Sequence, residues 1–457
     1  MFNFLKLKPI TIAVLLFVLS LPIQMISSLI EERQQLSTLV HHEIANSGSR
    51  DQWVVGPILV LETEHYQQEN LVNQQLVKPY SQVQLILPNQ MQINSDLNSE
   101  IRSRGIYQTR LYHTKNNWTL HYELPAKLGF DREPQVSPTA EVGNVRLKSA
   151  RLVMGLSDMR GLIGMPKLML DQQQLKIIPG TGLDALNGVQ AALDLDMLLI
   201  KPNFDLTLQM DITGTEHLSM LPIADQSSWT LSADWPHPSF VGRFLPIKHD
   251  VRSDGFSATW QSSQFANDVK TNLNKCLLSN TRCVELKEQS FFVNLVEPVD
   301  HYQQSYRSVK YALLVLVVSF SVFYLFELLA KLAIHPMQYL FVGLALAMFY
   351  LLLISLSEVL GFALAYAVAA AACILLCGFY TIAVLQSRQK GLSFTAGLSA
   401  LYGLLFMILR AEDMALLAGS LLLFVVLSGV MLSTRHLNWY QLQGNAPSVN
   451  DEKDMAE

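Results

Sequence analysis

The chain has 457 residues, with 33 Lys and Arg against 38 Asp and Glu, for a formal net charge of −5. Only 16% of residues are charged and 50% are hydrophobic, where soluble domains average about 25% charged. This balance excludes an ordinary soluble enzyme, a nucleic-acid binder built on clustered Lys and Arg, a disordered chain poor in aliphatic residues and, with four Cys, a disulfide scaffold.

What remains is a membrane protein with a large water-exposed part, and the apolar residues are distributed accordingly. Residues 1–9 carry Lys6 and Lys8. Ile10 to Ile30 then runs 21 positions without a charge, enough for a helix to cross about 30 Å of hydrocarbon. The run is longer than the 7–15 residues of a signal-peptide core. Cleavage after Ser28 would also place Ile26 at the −3 position. An uncleaved anchor is therefore expected, with a cleaved signal peptide as the alternative.

Residues 31–310 read mostly as strands. Asn203–Ile212 alternates, with Phe204, Leu206, Leu208, Met210 and Ile212 on one face. Gln82–Leu87, Ser228–Trp235 and Phe256–Trp260 behave likewise. Leu168–Leu170 and Leu175–Ile178 flank the polar run Asp171–Gln174 as a hairpin would. Pro179-Gly180 and Asp254-Gly255 are turn signals, and Gln264–Leu278 is a candidate helix. The expected fold is a mainly-β, antiparallel, sandwich-like domain. Trp53, Trp118, Trp229, Trp235 and Trp260 fall within it, either as core or lining a groove for a ligand such as a sugar. Ser157-Asp158-Met159-Arg160-Gly161 reads as a turn with a local ion pair, or as an anion site. His237, between Pro236 and Pro238, has no visible partner. Asn117-Trp118-Thr119 matches a glycosylation acceptor. Cys276 and Cys283 are close enough for a disulfide, which an oxidising compartment would permit.

Five apolar spans follow, at Tyr311–Ala330, Met337–Leu356, Phe362–Leu385, Leu392–Leu409 and Ala415–Leu432, before a polar tail at 435–457. They lack the alternation of membrane barrel strands, so a bundle of five transmembrane helices over 311–434 is expected. Charge inside such a bundle is costly. Glu327 lies four residues before Lys331 and the two can meet on one helix; they form a neutralised pair or a proton or cation site. Glu358, Arg410, Glu412 and Asp413 gather at the opposite span ends as a docking cluster or part of a transport path. Ala365, Ala369, Cys373 and Cys377 form a small-residue face for helix packing. Lys6, Lys8, Lys331, Arg388, Lys390 and Arg435 would share one side of the membrane, against Arg410 in the opposite short loops. Arg33, Arg307 and Lys310 oppose this trend. The balance puts both termini in the cytoplasm and residues 31–310 outside, in the periplasm if the source is a bacterium.

The chain has no G-x-S-x-G, H-E-x-x-H, phosphate-binding loop or dinucleotide fingerprint, so no catalytic residue, metal or cofactor is expected. It does resemble a known family. The segments that carry the likeness are Arg104-Gly105-Ile106-Tyr107, Asp234-Trp235-Pro236-His237-Pro238-Ser239-Phe240 with Phe244-Leu245-Pro246, Phe265-Ala266-Asn267, Pro298-Val299-Asp300-His301-Tyr302-Gln303, Lys310-Tyr311-Ala312 and His335-Pro336-Met337-Gln338-Tyr339-Leu340. The last continues through Met348–Leu353 to Leu356-Ser357-Glu358 and Gly361-Phe362. In their order these resemble the CreD family of bacterial inner-membrane, cell-envelope integrity proteins. The resemblance implies a setting of colicin tolerance, β-lactam response and control by a two-component system, with no established reaction. The expected role is non-enzymatic envelope support by an exported β domain. A transporter or channel component and a carbohydrate-active domain are the alternatives. Expected partners are the lipid bilayer and envelope proteins or peptidoglycan, not nucleic acid; the sequence leaves the oligomeric state open.

Overall fold

The computed structural model describes residues 2–65, 80–130, 134, 145–279, 283–295, 301–330, 334–410 and 415–435. The chain divides into two compact units, Leu39–Pro298 and Met1–Thr38 together with Val299–Glu457.

The first unit is mainly β. Its strands are β1 (Gln52–His65), β2 (Tyr80–Ile86), β3 (Gln90–Arg104), β4 (Tyr107–Glu123), β5 (Val145–Leu156), β6 (Leu162–Leu170), β7 (Gln173–Leu175) and β8 (Ile177–Pro179). After these come β9 (Gly188–Leu193), β10 (Asn203–Thr215), β11 (His217–Met220), β12 (Gln226–Ala233), β13 (Pro238–Phe240), β14 (Lys248–Arg252), β15 (Gly255–Ser263) and β16 (Phe291–Leu295). One sheet runs β13-β16-β11-β1-β5-β9-β8 with β2 also on β1, and the other runs β14-β15-β12-β3-β4-β10-β6-β7. The two sheets share one apolar core. Alternation drives this: Met91, Ile93 and Leu97 of β3 are buried while Gln90, Gln92, Asn94 and Asp96 between them are exposed. Transferring the inward side chains from water supplies the stabilisation, roughly 25 cal/mol per Å² of apolar area.

Three features depart from the expectation. The sheets are mixed, because β1 pairs with β11 and β3 with β12 in parallel. A strand that returns to its sheet after the chain has visited the other sheet can arrive in either direction, and local alternation does not record which. The hairpin after Leu170 is also tighter than expected. Gln173 and Gln174 pair with Leu170 and Met169, leaving Asp171-Gln172 as the turn, while Ile177 and Ile178 leave for the other sheet as part of β8. The turn before β15 is centred one residue earlier than Asp254-Gly255, since Arg252 pairs with Gly255.

Four tryptophans are core. Trp53, Trp118, Trp229 and Trp260 are buried, with Trp229 stacked on Trp260 at 4.6 Å between centroids. The groove alternative thus loses its aromatic platform. The candidate helix after Gln264 begins later, as Val269–Ser279.

The second unit is helical. α1 (Phe2–Ser47) begins in it, and the division between units falls within that helix. The short helices α2 (Leu195–Ile200), α3 (Val269–Ser279) and α4 (Cys283–Glu288) belong to the β unit. α5 (His301–Lys310), α6 (Ala312–Ala330), α7 (Pro336–Leu360), α8 (Phe362–Val384), α9 (Arg388–Arg410) and α10 (Ala415–Thr434) complete the helical one. Among the described residues, α1 from Lys8, α7, α8 and α9 are long and apolar enough to cross a membrane, and α5 with α6 make a fifth span if counted as one, bent by 42°. α10 is a helix of 20 residues. The start of α7 is held by its own sequence: His335 Nδ1 accepts from Met337 N at 3.2 Å, and Gln338 Oε1 accepts from His335 N at 3.0 Å. This is a capping box with Pro336 in the first turn. Ala365, Ala369, Cys373 and Cys377 form a buried face of α8, where Cys373 Sγ reaches Ala345 O of α7 at 3.4 Å.

Candidate functional site

The acidic side chain inside α6 has three partners. Glu327 is 3% exposed and ion-paired with Lys8. It also accepts from Tyr339 Oη at 2.8 Å and from Ile334 N at 3.1 Å. Lys8 Nζ donates in addition to Ile334 O at 3.0 Å. The first turns of α1 and α7 and the last turn of α6 therefore meet on one carboxylate. Phe320 and Phe323 pack edge-on against the Tyr339 ring and shut this polar knot off with apolar surface. The partner expected from spacing, Lys331, lies outside the described residues; among the described residues the ion pair is made with Lys8. No local signal could have named Lys8, 319 positions away by subtraction of the two residue numbers. The one available clue is that a lone carboxylate in an apolar helix requires a donor or cation.

Glu358, near the end of α7, accepts from Tyr302 Oη at 3.1 Å and lies 4.0 Å from Arg33. Arg33 is among the residues that oppose the expected sidedness, and a carboxylate across from it accounts for its position. Arg410 ends α9 and is exposed. Among the described residues no ion pair joins it to Glu358; Glu412 and Asp413, the other two members of the expected cluster, lie outside the described residues. Among the described residues no group of three His, Cys, Asp or Glu could hold a metal ion.

In the β unit, Cys276 and Cys283 form a disulfide. Arg104 and Tyr107 close the β3–β4 hairpin as a pair around Gly105, whose φ of 65° suits the turn, and Arg104 reaches Glu43 at 2.5 Å. Trp235 donates from Nε1 to His237 O at 3.1 Å, and the Arg110 guanidinium lies 3.4 Å from its ring centroid. The stretch around His237 is therefore a braced loop. Asp158 pairs with Arg160 at 2.6 Å and caps a short 3₁₀ turn; the guanidinium pulls its carboxyl down to about 2. This is the local ion pair, not an open anion site. His121 Nδ1 lies 2.7 Å from Asp205 Oδ1, whose hydrogen bond raises the imidazole above its ordinary range. The pair stands at the rim of a depression of 740 Å³ on the outer face of the second sheet. Sequence reasoning missed this depression, because its residues come from separate strands.

Comparison with known proteins gives matches of different weight. The family model described as "Inner membrane protein CreD" matches residues 4–440. A protein of that name from Escherichia coli (strain K12) is 35% identical over 455 residues, covering 99% of this chain and 96% of that one. Among solved structures, an M1 zinc metallopeptidase from Deinococcus radiodurans shares 11% identity over 38% of each chain with a TM-score of 0.18, which carries no argument.

Proposed function

Because the chain belongs to the CreD family of inner membrane proteins, we propose that it is a non-enzymatic membrane protein that holds its β unit in the periplasm and supports the cell envelope. The setting of colicin tolerance and β-lactam response that goes with the family belongs to this reading. The observation that carries it is the Lys8–Glu327–Tyr339 knot. A carboxylate neutralised by a cation and two further donors is suited to clamping helices; one that relays an ion must change partners. The distribution of Lys and Arg supports both termini in the cytoplasm. A phosphatase reporter fused near residue 150 tests the sidedness, and activity is expected. A deletion strain with unchanged response to colicin and to cell-wall antibiotics would remove the role.

The transporter or channel reading draws on Ser305 and Ser308, buried hydroxyls of α5 that have no hydrogen-bond partner among the described residues. It requires that Glu358→Gln, beside Tyr302 at the same helix, abolish function; a fully active variant dismisses it.

A further inference from the structure

Strand register turns the outer face of the second sheet into rows. Side chains alternate between faces along a strand, so the outward residues of β15, β12, β3, β4 and β10 align across the sheet. One row is Gln261, Ser228, Gln92, Thr119 and Thr207. The next is Thr259, Thr230, Asn94, Asn117 and Gln209. None of these is charged, whereas a domain surface usually carries about 25–35% charged residues. On this face charge returns in the neighbouring rows, at Asp205 beside His121 on one side and at Asp96, Lys115 and Asp211 on the other, and at the ends of the second row, at Lys248 of β14 and Lys167 of β6. Thr230 and Thr259 contact one another at 3.4 Å; among the described residues the other eight side chains make no hydrogen bond to a protein group.

The result is a grid of amides and hydroxyls, spaced about 4.8 Å across the strands and about 6.8 Å along them. Each amide offers two donors and an acceptor, and each hydroxyl offers both functions. Gln261, Ser228, Gln92 and Thr119 of the first row line the 740 Å³ depression. An anionic polymer or lipid surface would need cations inside the rows, and an apolar partner would need apolar area there; the rows supply neither. We propose that this face binds a neutral glycan chain, whose repeated hydroxyls and amides match an uncharged grid.

The proposal rests on the β unit facing the cell envelope, but its test is made on purified protein, so the two fail separately. Full-length protein in nanodiscs is sedimented with insoluble murein sacculi and titrated with chitohexaose. Phosphatidylglycerol vesicles and dextran sulfate are the comparison probes. Binding to sacculi and chitohexaose is expected, and Thr119→Val and Thr207→Val, which remove only the hydroxyls, each weaken it roughly fivefold. Gln92→Ala/Asn117→Ala weakens it at least tenfold, while circular dichroism stays that of the parent. Raising salt from 50 to 300 mM leaves the affinity within twofold. Absence of binding to both glycans overturns the proposal. So does unchanged binding by the Gln92→Ala/Asn117→Ala protein, or binding confined to the vesicles or dextran sulfate and lost in salt.

Discussion

Lys8→Met leaves the Glu327 carboxylate in place at 3% exposure, without its cation. Tyr339 and the Ile334 amide still donate to it, yet losing one partner of a buried pair costs about 3–5 kcal/mol. Glu327→Gln is milder. Lys8 is 12% exposed in the opening turns of α1, where its long side chain can swing its ammonium toward water, and the amide keeps a hydrogen bond to Tyr339. About 1–2 kcal/mol is expected there. Lys8→Met/Glu327→Gln should resemble Glu327→Gln alone, because the stranded charge is gone. The assay is equilibrium unfolding of the full chain in mixed micelles, titrated with SDS, and the decisive quantity is the coupling energy of the cycle. A coupling below about 0.5 kcal/mol, or a Lys8→Met protein as stable as the parent, refutes the clamp.

Three further outcomes follow from the β unit. Converting Cys276 and Cys283 to Ala opens a loop of sequence separation 7 and should cost about 2.5 kcal/mol by loop entropy, read by thermal unfolding; no change with or without reductant would contradict the bridge. Asp158 sits at about 2 against an ordinary 3.8, so its stabilisation is complete above 3.8 and drains away as pH falls toward 2. With Arg160 52% exposed, screening leaves about 1 kcal/mol, and Asp158→Asn should flatten that part of the acid-unfolding curve; an unaltered curve counts against the pair. Gly188→Ala places a Cβ 1.9 Å from Met154 O, opposite Gly155, and should cost about 3 kcal/mol. Gly164→Ala meets nothing within 4 Å and only its φ of +66° opposes it, so about 1 kcal/mol is expected; equal losses in urea unfolding would show that steric space is not the determinant.

The parts of this molecule that were readable in the sequence are those with a local period. The alternation of β10 and the charge-free run from Ile10 to Ile30 each declare their environment within a few residues. Pairings that join distant residues leave no such trace. Lys8 and Glu327 belong to opposite ends of the chain, beyond the reach of the i, i+4 rule, which offers only Lys331. The parallel pairs β1–β11 and β3–β12 were invisible for the same reason, since a strand's pattern records which face is buried and not which neighbour lies alongside. The neutral rows needed register as well: Gln92, Asn117 and Gln209 each look like ordinary exposed residues until the strands are laid side by side. The Arg110–Trp235 contact joins two segments that each read as unremarkable.

The route of the chain through the β unit has a consequence for biogenesis. It crosses repeatedly from one sheet to the other, so that Gln52 waits for Leu218, Gln90 waits for Gln226, and Leu218 in turn waits for Val293. A nascent chain emerging from its amino end can make the long β3–β4 hairpin early, but one layer must wait for β15 and the other for β16 before all its strands are present. Synthesis thus runs ahead of assembly, and half-made layers with open edges persist for the time needed to translate the intervening residues, which favours slow, chaperone-dependent maturation.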